Sequence, residues 1–121
     1  MAKILVVDDD VTVTQLLQML LSMEGHQPTA INDSSETLEM ADQLHPDLIT
    51  LDLMMPGLTG FELCELLHND ARFKHIPILI ISARDDTESK ERAFQAGASG
   101  YIAKPFGIET LTQKIKELTS S

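Results

Sequence analysis

Cysteine is almost absent. Cys64 stands alone among 121 residues, so an intramolecular disulfide and a cysteine-based zinc cluster are both excluded, and a reducing compartment suits the chain. The cytoplasm is the expected location. Tryptophan is missing and aromatic residues make up only 4% of the chain, which leaves the core to be built from aliphatic side chains. No apolar run approaches the roughly 18 residues that mark a membrane-spanning helix. The opening "MAKILVV" enters structure without the basic flank and long apolar segment of a signal peptide. Basic residues are scarce as well: 9 Lys and Arg stand against 19 Asp and Glu, a formal net charge of −10. That balance opposes contact with phosphate backbones or anionic lipid unless the cations cluster, and they do not. Direct nucleic-acid binding and a membrane role are therefore not expected.

What is present reads as a single domain over residues 1–121, long enough to bury one core without a staple. Strand-length apolar runs recur at residues 4–7, 48–51, 78–81 and 101–103, rich in β-branched residues and without in/out alternation. Such runs predict parallel strands buried on both faces. "QPTAI" at residues 27–31 is a weaker fifth run, and Pro28, which has no N–H to donate, predicts an edge position for it. Helical patterns lie between the runs. Val13, Leu16, Leu17, Leu20 and Leu21 form the stripe of a one-sided helix that Gly25 stops. "DSSE" predicts a capping box of Asp33 and Glu36 opening a second helix with Leu38, Ala41 and Leu44 on one face. Further helices are expected at about 60–69, at about 87–95 and around Ile108, Leu111, Ile115 and Leu118. Five strands alternating with five helices specify an α/β fold, a parallel sheet with helices on both faces.

In an open parallel sheet, chemistry collects beyond the carboxyl ends of the strands. The first run ends in Asp8, Asp9 and Asp10, the third in Asp52, the fourth in Ser82, and the fifth in Lys104 and Pro105. Carboxylates gathered at one edge repel one another, and a divalent cation is the simplest relief. Oxygen ligands in an incomplete cage favour magnesium, with manganese as the alternative, and such an ion accepts a phosphoryl oxygen. Lys104 and the Ser82 hydroxyl are candidates to hold other phosphoryl oxygens, and an aspartate beside the metal is a candidate nucleophile.

With "VVDDD", "LITLDLMMPGLTG", "ILIISA" and "AGASGYIAKPF" in this order, the whole chain resembles the receiver domain of bacterial two-component response regulators, of the single-domain chemotaxis type. The resemblance implies a flavodoxin-like receiver fold with sheet order 2-1-3-4-5. It implies a phosphorylation-operated switch in which Asp52 accepts a phosphoryl group from a histidine kinase or phosphotransfer protein. Asp8 and Asp9, with Asp52 and the backbone carbonyl of Met54, would hold magnesium. Ser82 would be the switch hydroxyl, Lys104 the ion partner of the phosphoryl group, and Tyr101 the aromatic that changes rotamer. Pro105 would follow a cis peptide bond. The output would be a downstream protein or an attached domain reached through the fourth helix, fifth strand and fifth helix, and the resemblance leaves room for a phosphorylation-dependent homodimer. Ser82 stands where Thr is commoner in the family. Met54 and Arg84 occupy the variable positions two residues beyond the acceptor and the switch hydroxyl, where bulk obstructs in-line water and is expected to lengthen the phosphoryl lifetime.

Other residues receive plainer readings. Asp10 is expected to cap the first helix rather than bind metal. Asp47 precedes the third strand, at its far end from Asp52, and Gly57 and Gly60 shape a turn rather than a dinucleotide fingerprint. His26, His45, His68 and His75 lack metal-ligand spacing, and Cys64 lies on an apolar helix face as packing. Three competing functions fit less well. A pseudo-receiver lacks one or more of the site residues, whereas Asp8, Asp9, Asp52, Ser82 and Lys104 are all here. A haloacid-dehalogenase-type phosphatase wants an acid where Met54 stands, and a flavodoxin would place FMN phosphate against Asp8 and Asp9. No turnover enzyme is expected.

Overall fold

The computed structural model describes residues 2–119. Five strands, β1 (Lys3–Val7), β2 (Gln27–Ile31), β3 (Leu48–Leu51), β4 (Ile78–Ser82) and β5 (Gly100–Ala103), alternate with five helices. The helices are α1 (Val11–Met23), α2 (Thr37–Leu44), α3 (Gly60–Asn69), α4 (Thr87–Gln95) and α5 (Ile108–Thr119). All strand pairs are parallel, in the order β2-β1-β3-β4-β5. The proline-bearing β2 is an edge strand, as Pro28 requires.

Parallel strands covered on both faces must be apolar on both, and β1, β3 and β4 are buried almost without interruption. Leu5, Val7, Ile49, Leu51, Ile78 and Ile80 point to one side, where they pack on Ala41 of α2, on Leu63, Cys64 and Leu67 of α3, and on Ala93 of α4. Ile4, Val6, Leu48, Leu79, Ile81 and Ile102 point to the other, against Leu17 and Leu21 of α1 and Leu111 and Ile115 of α5. The aromatic shortage is met by these aliphatic layers, with Phe61 and Phe73 the buried rings.

Register carries the fold to the site. Val7 pairs with Leu51, Leu51 with Ile80, and Ser82 with Ala103. Backbone bonds continue these ladders past the strand ends: Asp52 N–H donates to the Val7 carbonyl at 3.2 Å, and Lys104 N–H to the Ser82 carbonyl at 2.7 Å. Asp8, Asp52 and Lys104 therefore leave the sheet at one edge. β1 and β3 flank the point where strand order reverses, which is where an open α/β sheet leaves a crevice.

One local expectation differs from what forms. Asp33 does not open α2; its carboxylate accepts from Ser35 N–H at 3.0 Å and starts a single 3₁₀ turn, Ser34–Glu36, after which α2 begins at Thr37. The Asx-type bond two residues on outcompetes the longer reach of a capping box. A capping box does occur at α3: Glu62 N–H donates to Thr59 Oγ1 at 3.3 Å and Thr59 N–H to Glu62 Oε1 at 3.1 Å. This box sets the helix that follows the Asp52 loop.

Candidate functional site

Asp8, the first residue past β1, is buried, at 2% exposure. Its Oδ1 accepts from Asp10 N–H at 3.0 Å, and its Oδ2 receives the Lys104 ammonium at 2.9 Å. Asp52, at 7% exposure, accepts from Met54 N–H through Oδ1 at 3.3 Å and from the same ammonium through Oδ2 at 3.3 Å. Lys104 therefore bridges two buried carboxylates from the far end of the chain, and the peptide joining it to Pro105 is cis. Asp9 is exposed, yet one oxygen from each of Asp8, Asp9 and Asp52 lies within 4.8 Å of the others.

The electrostatics follow from burial and charge count. Burial, then the neighbouring Asp8 charge, raise the Asp52 carboxyl above its ordinary range, against the lowering pull of Lys104 and of the Met54 N–H. Burial alone would lower the Lys104 ammonium, but the hydrogen bond to Asp8 and the charges of Asp52 and Asp8 outweigh it and raise the group. Lys104 stays charged, and it faces more carboxylate than it can neutralise. A hard divalent cation fits what remains: three carboxylates with converging oxygens, no sulfur or imidazole among them, and an open side at Asp9. Asp10 stands outside this group, its Oδ1 accepting from Thr12 N–H at 2.9 Å as the cap of α1.

The other expected residues reach the site through the loop after β4. Ser82 is fully buried, and its Oγ accepts from Arg84 N–H at 3.2 Å. Tyr101, on β5, donates its hydroxyl to the Arg84 carbonyl at 2.7 Å. Met54, 55% exposed, has its Sδ 3.9 Å from Arg84 Nη1. One backbone residue thus joins the serine to the tyrosine, while its side chain touches the loop that carries Asp52.

Two further residues support the site. Asn32 Nδ2 donates to the Asp8 carbonyl at 2.8 Å and to Thr14 Oγ1 at 3.0 Å, tying the end of β1 to α1. The signal for it is its place: Asn32 directly follows β2, as Asp8 and Asp52 follow β1 and β3. Gly60 is more than a turn residue. A Cβ there would strike the Asp52 carbonyl and Leu53 Cα, so only glycine lets α3 start this close to the Asp52 backbone.

A family model described as the response regulator receiver domain matches residues 4–116. The chain belongs to that family. Over 116 residues it is 40% identical to the response regulator MprA of Mycobacterium leprae, covering 96% of this chain and 50% of that protein. It is 36% identical over 118 residues to the DNA-binding dual master transcriptional regulator RpaA of Synechocystis, covering 98% of this chain and 49% of that one. The chain spans about half the length of these curated relatives. A solved structure of the chemotaxis protein CheY4 of Vibrio cholerae superposes with a TM-score of 0.92 at 32% identity, covering 98% of each chain. Membership makes this a receiver domain of two-component signalling, a signalling domain rather than a turnover enzyme. No helix among the described residues is long and apolar enough to cross a membrane.

Proposed function

We propose that Asp52 is the phosphoryl acceptor of a magnesium-dependent signalling switch. The observation that carries this reading is the Lys104 ammonium held between Asp8 and Asp52 inside a group of three convergent carboxylates. In the reaction, the P–N bond of a phosphohistidine on a histidine kinase or phosphotransfer protein breaks as a P–O bond to an Asp52 carboxylate oxygen forms. The imidazole leaves with the electron pair of the broken bond and takes a proton from solvent. Asp52 is half of what this needs, a nucleophile fixed in place by the Met54 N–H; Lys104 is the other half, a cation ready for a phosphoryl oxygen. Asp8, Asp9, Asp52 and the Met54 carbonyl would hold magnesium, or manganese in its place, which supplies charge neutralisation for the phosphoryl oxygens.

The Ser82 hydroxyl then turns from Arg84 N–H toward the phosphoryl group and Tyr101 changes rotamer, altering the surface of α4, β5 and α5. That surface meets a downstream protein or an output domain in the same polypeptide; the half-length match to RpaA and MprA favours an attached domain, the full-length match to CheY4 a free-standing regulator. Phosphorylation-dependent pairing of two copies through the same surface belongs to this reading, as does a cytoplasmic location, where the kinase and its ATP are found.

The test is treatment of the chain with acetyl phosphate, with and without magnesium, read by intact mass and by peptide mapping. One phosphoryl adduct is expected, on Asp52, dependent on magnesium and missing in Asp52→Asn. An unmodified wild-type chain would turn the reading to an interaction module that works without phosphorylation.

A further inference from the structure

Among the described residues, Arg84 contacts both Ser82 and Tyr101, the two side chains that move in the proposed switch. Its N–H donates to Ser82 Oγ at 3.2 Å and its carbonyl accepts from the Tyr101 hydroxyl at 2.7 Å. Its side chain reaches in two directions: Nε lies 3.4 Å from Asp86 Oδ1, and Nη1 lies 3.9 Å from Met54 Sδ. Met54 is in turn the residue whose N–H holds Asp52. The guanidinium thus spans from the Asp52 loop to the residue that caps α4.

Both present partners are weak. The Asp86 pair is long, made through a single nitrogen, with both side chains 47% exposed, the kind of ion pair that contributes little. A thioether is a poor acceptor. Asp86 keeps partners of its own when Arg84 leaves: its carboxylate accepts the Ser89 N–H and the Ser89 hydroxyl, both at 2.9 Å. A phosphoryl group on Asp52 would add roughly 1.5 to 2 negative charges and three strong acceptor oxygens nearby. A planar guanidinium pairs with such a group through two parallel bonds, which its present partners do not offer.

We propose that Arg84 is a phosphoryl-binding residue that leaves Asp86 for the phosphoryl oxygens when Asp52 is modified, so that the same exchange reports occupancy to the N-terminal end of α4. The proposal rests on Asp52 being the acceptor. Ser82 and Lys104 hold phosphoryl oxygens through the ends of β4 and β5. Arg84 adds a link from the loop after β4 to α4 itself, since withdrawing its charge leaves the capping Asp86 with Ser89 alone.

The experiment uses beryllofluoride with magnesium as the phosphoryl mimic, the full chain labelled with ¹⁵N, and the variants Arg84→Ala, Asp86→Asn and their combination. In the wild type, saturation is expected to shift the Arg84 Nε–H resonance and the Asp86 and Ser89 amides together. Arg84→Ala should weaken beryllofluoride binding about tenfold, the worth of one charge-assisted hydrogen bond. Asp86→Asn keeps a good N-cap and frees the guanidinium. It should tighten binding roughly two- to threefold, in line with the small worth of an exposed pair, and Arg84→Ala should abolish that gain. A wild-type chain that binds beryllofluoride at Asp52 while the Arg84 Nε–H and Ser89 resonances stay in place, or an Asp86→Asn gain that survives Arg84→Ala, overturns the exchange and leaves the acceptor assignment standing. A wild-type chain that binds no beryllofluoride overturns both.

Discussion

The Lys104 ammonium lies 2.9 Å from Asp8 Oδ2, closer than its 3.3 Å to Asp52 Oδ2. Without a metal, the lysine is held chiefly by the residue that is not the proposed acceptor, and Asp52 shares what is left. This explains why the Asp52 carboxyl is raised: burial comes first, the Asp8 charge second, and a half-engaged ammonium does not cancel them.

A stability prediction follows with a definite sign. A carboxyl raised in the fold lends stability below its ordinary pKa and loses it as pH rises through the raised value, so at neutral pH the ionised Asp52 is a burden. In chelator at pH 7, Asp52→Asn is expected to melt a few degrees above wild type. Magnesium should then raise the wild type more than the variant, by up to about 2.7 kcal/mol at roughly a hundredfold excess over its Kd. Calorimetry on both chains, with chelator and with magnesium, checks the pair of outcomes; an Asp52→Asn chain that melts below wild type in chelator contradicts them.

Lys104→Met is expected to do the reverse. It leaves two buried carboxylates facing each other with no cation, a loss on the order of 3 kcal/mol by analogy with broken buried pairs. Urea unfolding in chelator measures it, and added magnesium should recover much of the difference while phosphoryl transfer from acetyl phosphate stays impaired.

Gly60 offers a test of how the fold holds Asp52. Alanine is the better helix former, yet its Cβ would press on the Asp52 carbonyl and Leu53 Cα. Gly60→Ala is therefore expected to lose roughly 2 kcal/mol or more, with the Asp52 and Leu53 amides shifted in the spectrum. A neutral or stabilising outcome would mean that α3 can back away from the strand end.

How much of this was legible in the sequence depends on whether the signal was local. Strand ends were: an aliphatic run that stops at Asp8 or Asp52 marks both the burial of the strand and the edge where its acid emerges, and parallel register does the rest. The split of the aspartate triplet was legible too, because Asp10 has the position of a helix cap. Close approach was not. "PGLTG" reads as turn chemistry, and nothing in it says that Gly60 meets the backbone of Asp52. The Thr59 and Glu62 pair has a capping-box spacing and forms the box, while the equally spaced Asp33 and Glu36 form a 3₁₀ turn instead. Spacing alone does not decide between the two. The bond between Tyr101 and the Arg84 carbonyl joins a residue of β5 to one in the loop after β4, so only the fold could reveal it.

Cys64 supplies a pH prediction away from the site. Its thiol is fully buried in α3, and burial pushes its pKa from 9.0 up to about 12, with Glu65 adding to the effect. The folded chain keeps the thiol neutral where the unfolded chain ionises it, so this group's contribution is lost as pH rises from 9.0 toward about 12. Cys64→Ala should be less stable than wild type at pH 7 through the lost packing. The gap should narrow above pH 9.0, where only the wild type has a thiol to ionise. Urea titrations of both chains across that range test the sign. At pH 8 a disulfide reagent should modify the native wild type only as fast as the chain opens.

Met54 gives a prediction about the lifetime of the proposed phosphoryl group. It is more than half exposed, at 55%, yet its backbone N–H holds Asp52 and its Sδ touches Arg84, so the side chain runs from the Asp52 loop to the loop after β4. Hydrolysis of a phosphoryl-aspartate needs a water in line with the P–O bond that breaks, opposite the Asp52 oxygen; a thioether does not orient that water, and the bulk of Met54 is expected to obstruct it. Met54→Ala removes the obstruction without touching a ligand atom, and should shorten the phosphoryl lifetime severalfold; Met54→Asn, which adds a polar group able to orient water, should shorten it further. Both are read by the decay of the intact-mass adduct after the phosphodonor is removed. A wild-type adduct that disappears within seconds, or a Met54→Ala chain that holds its adduct as long as wild type, would mean that water reaches Asp52 by a route Met54 does not cover.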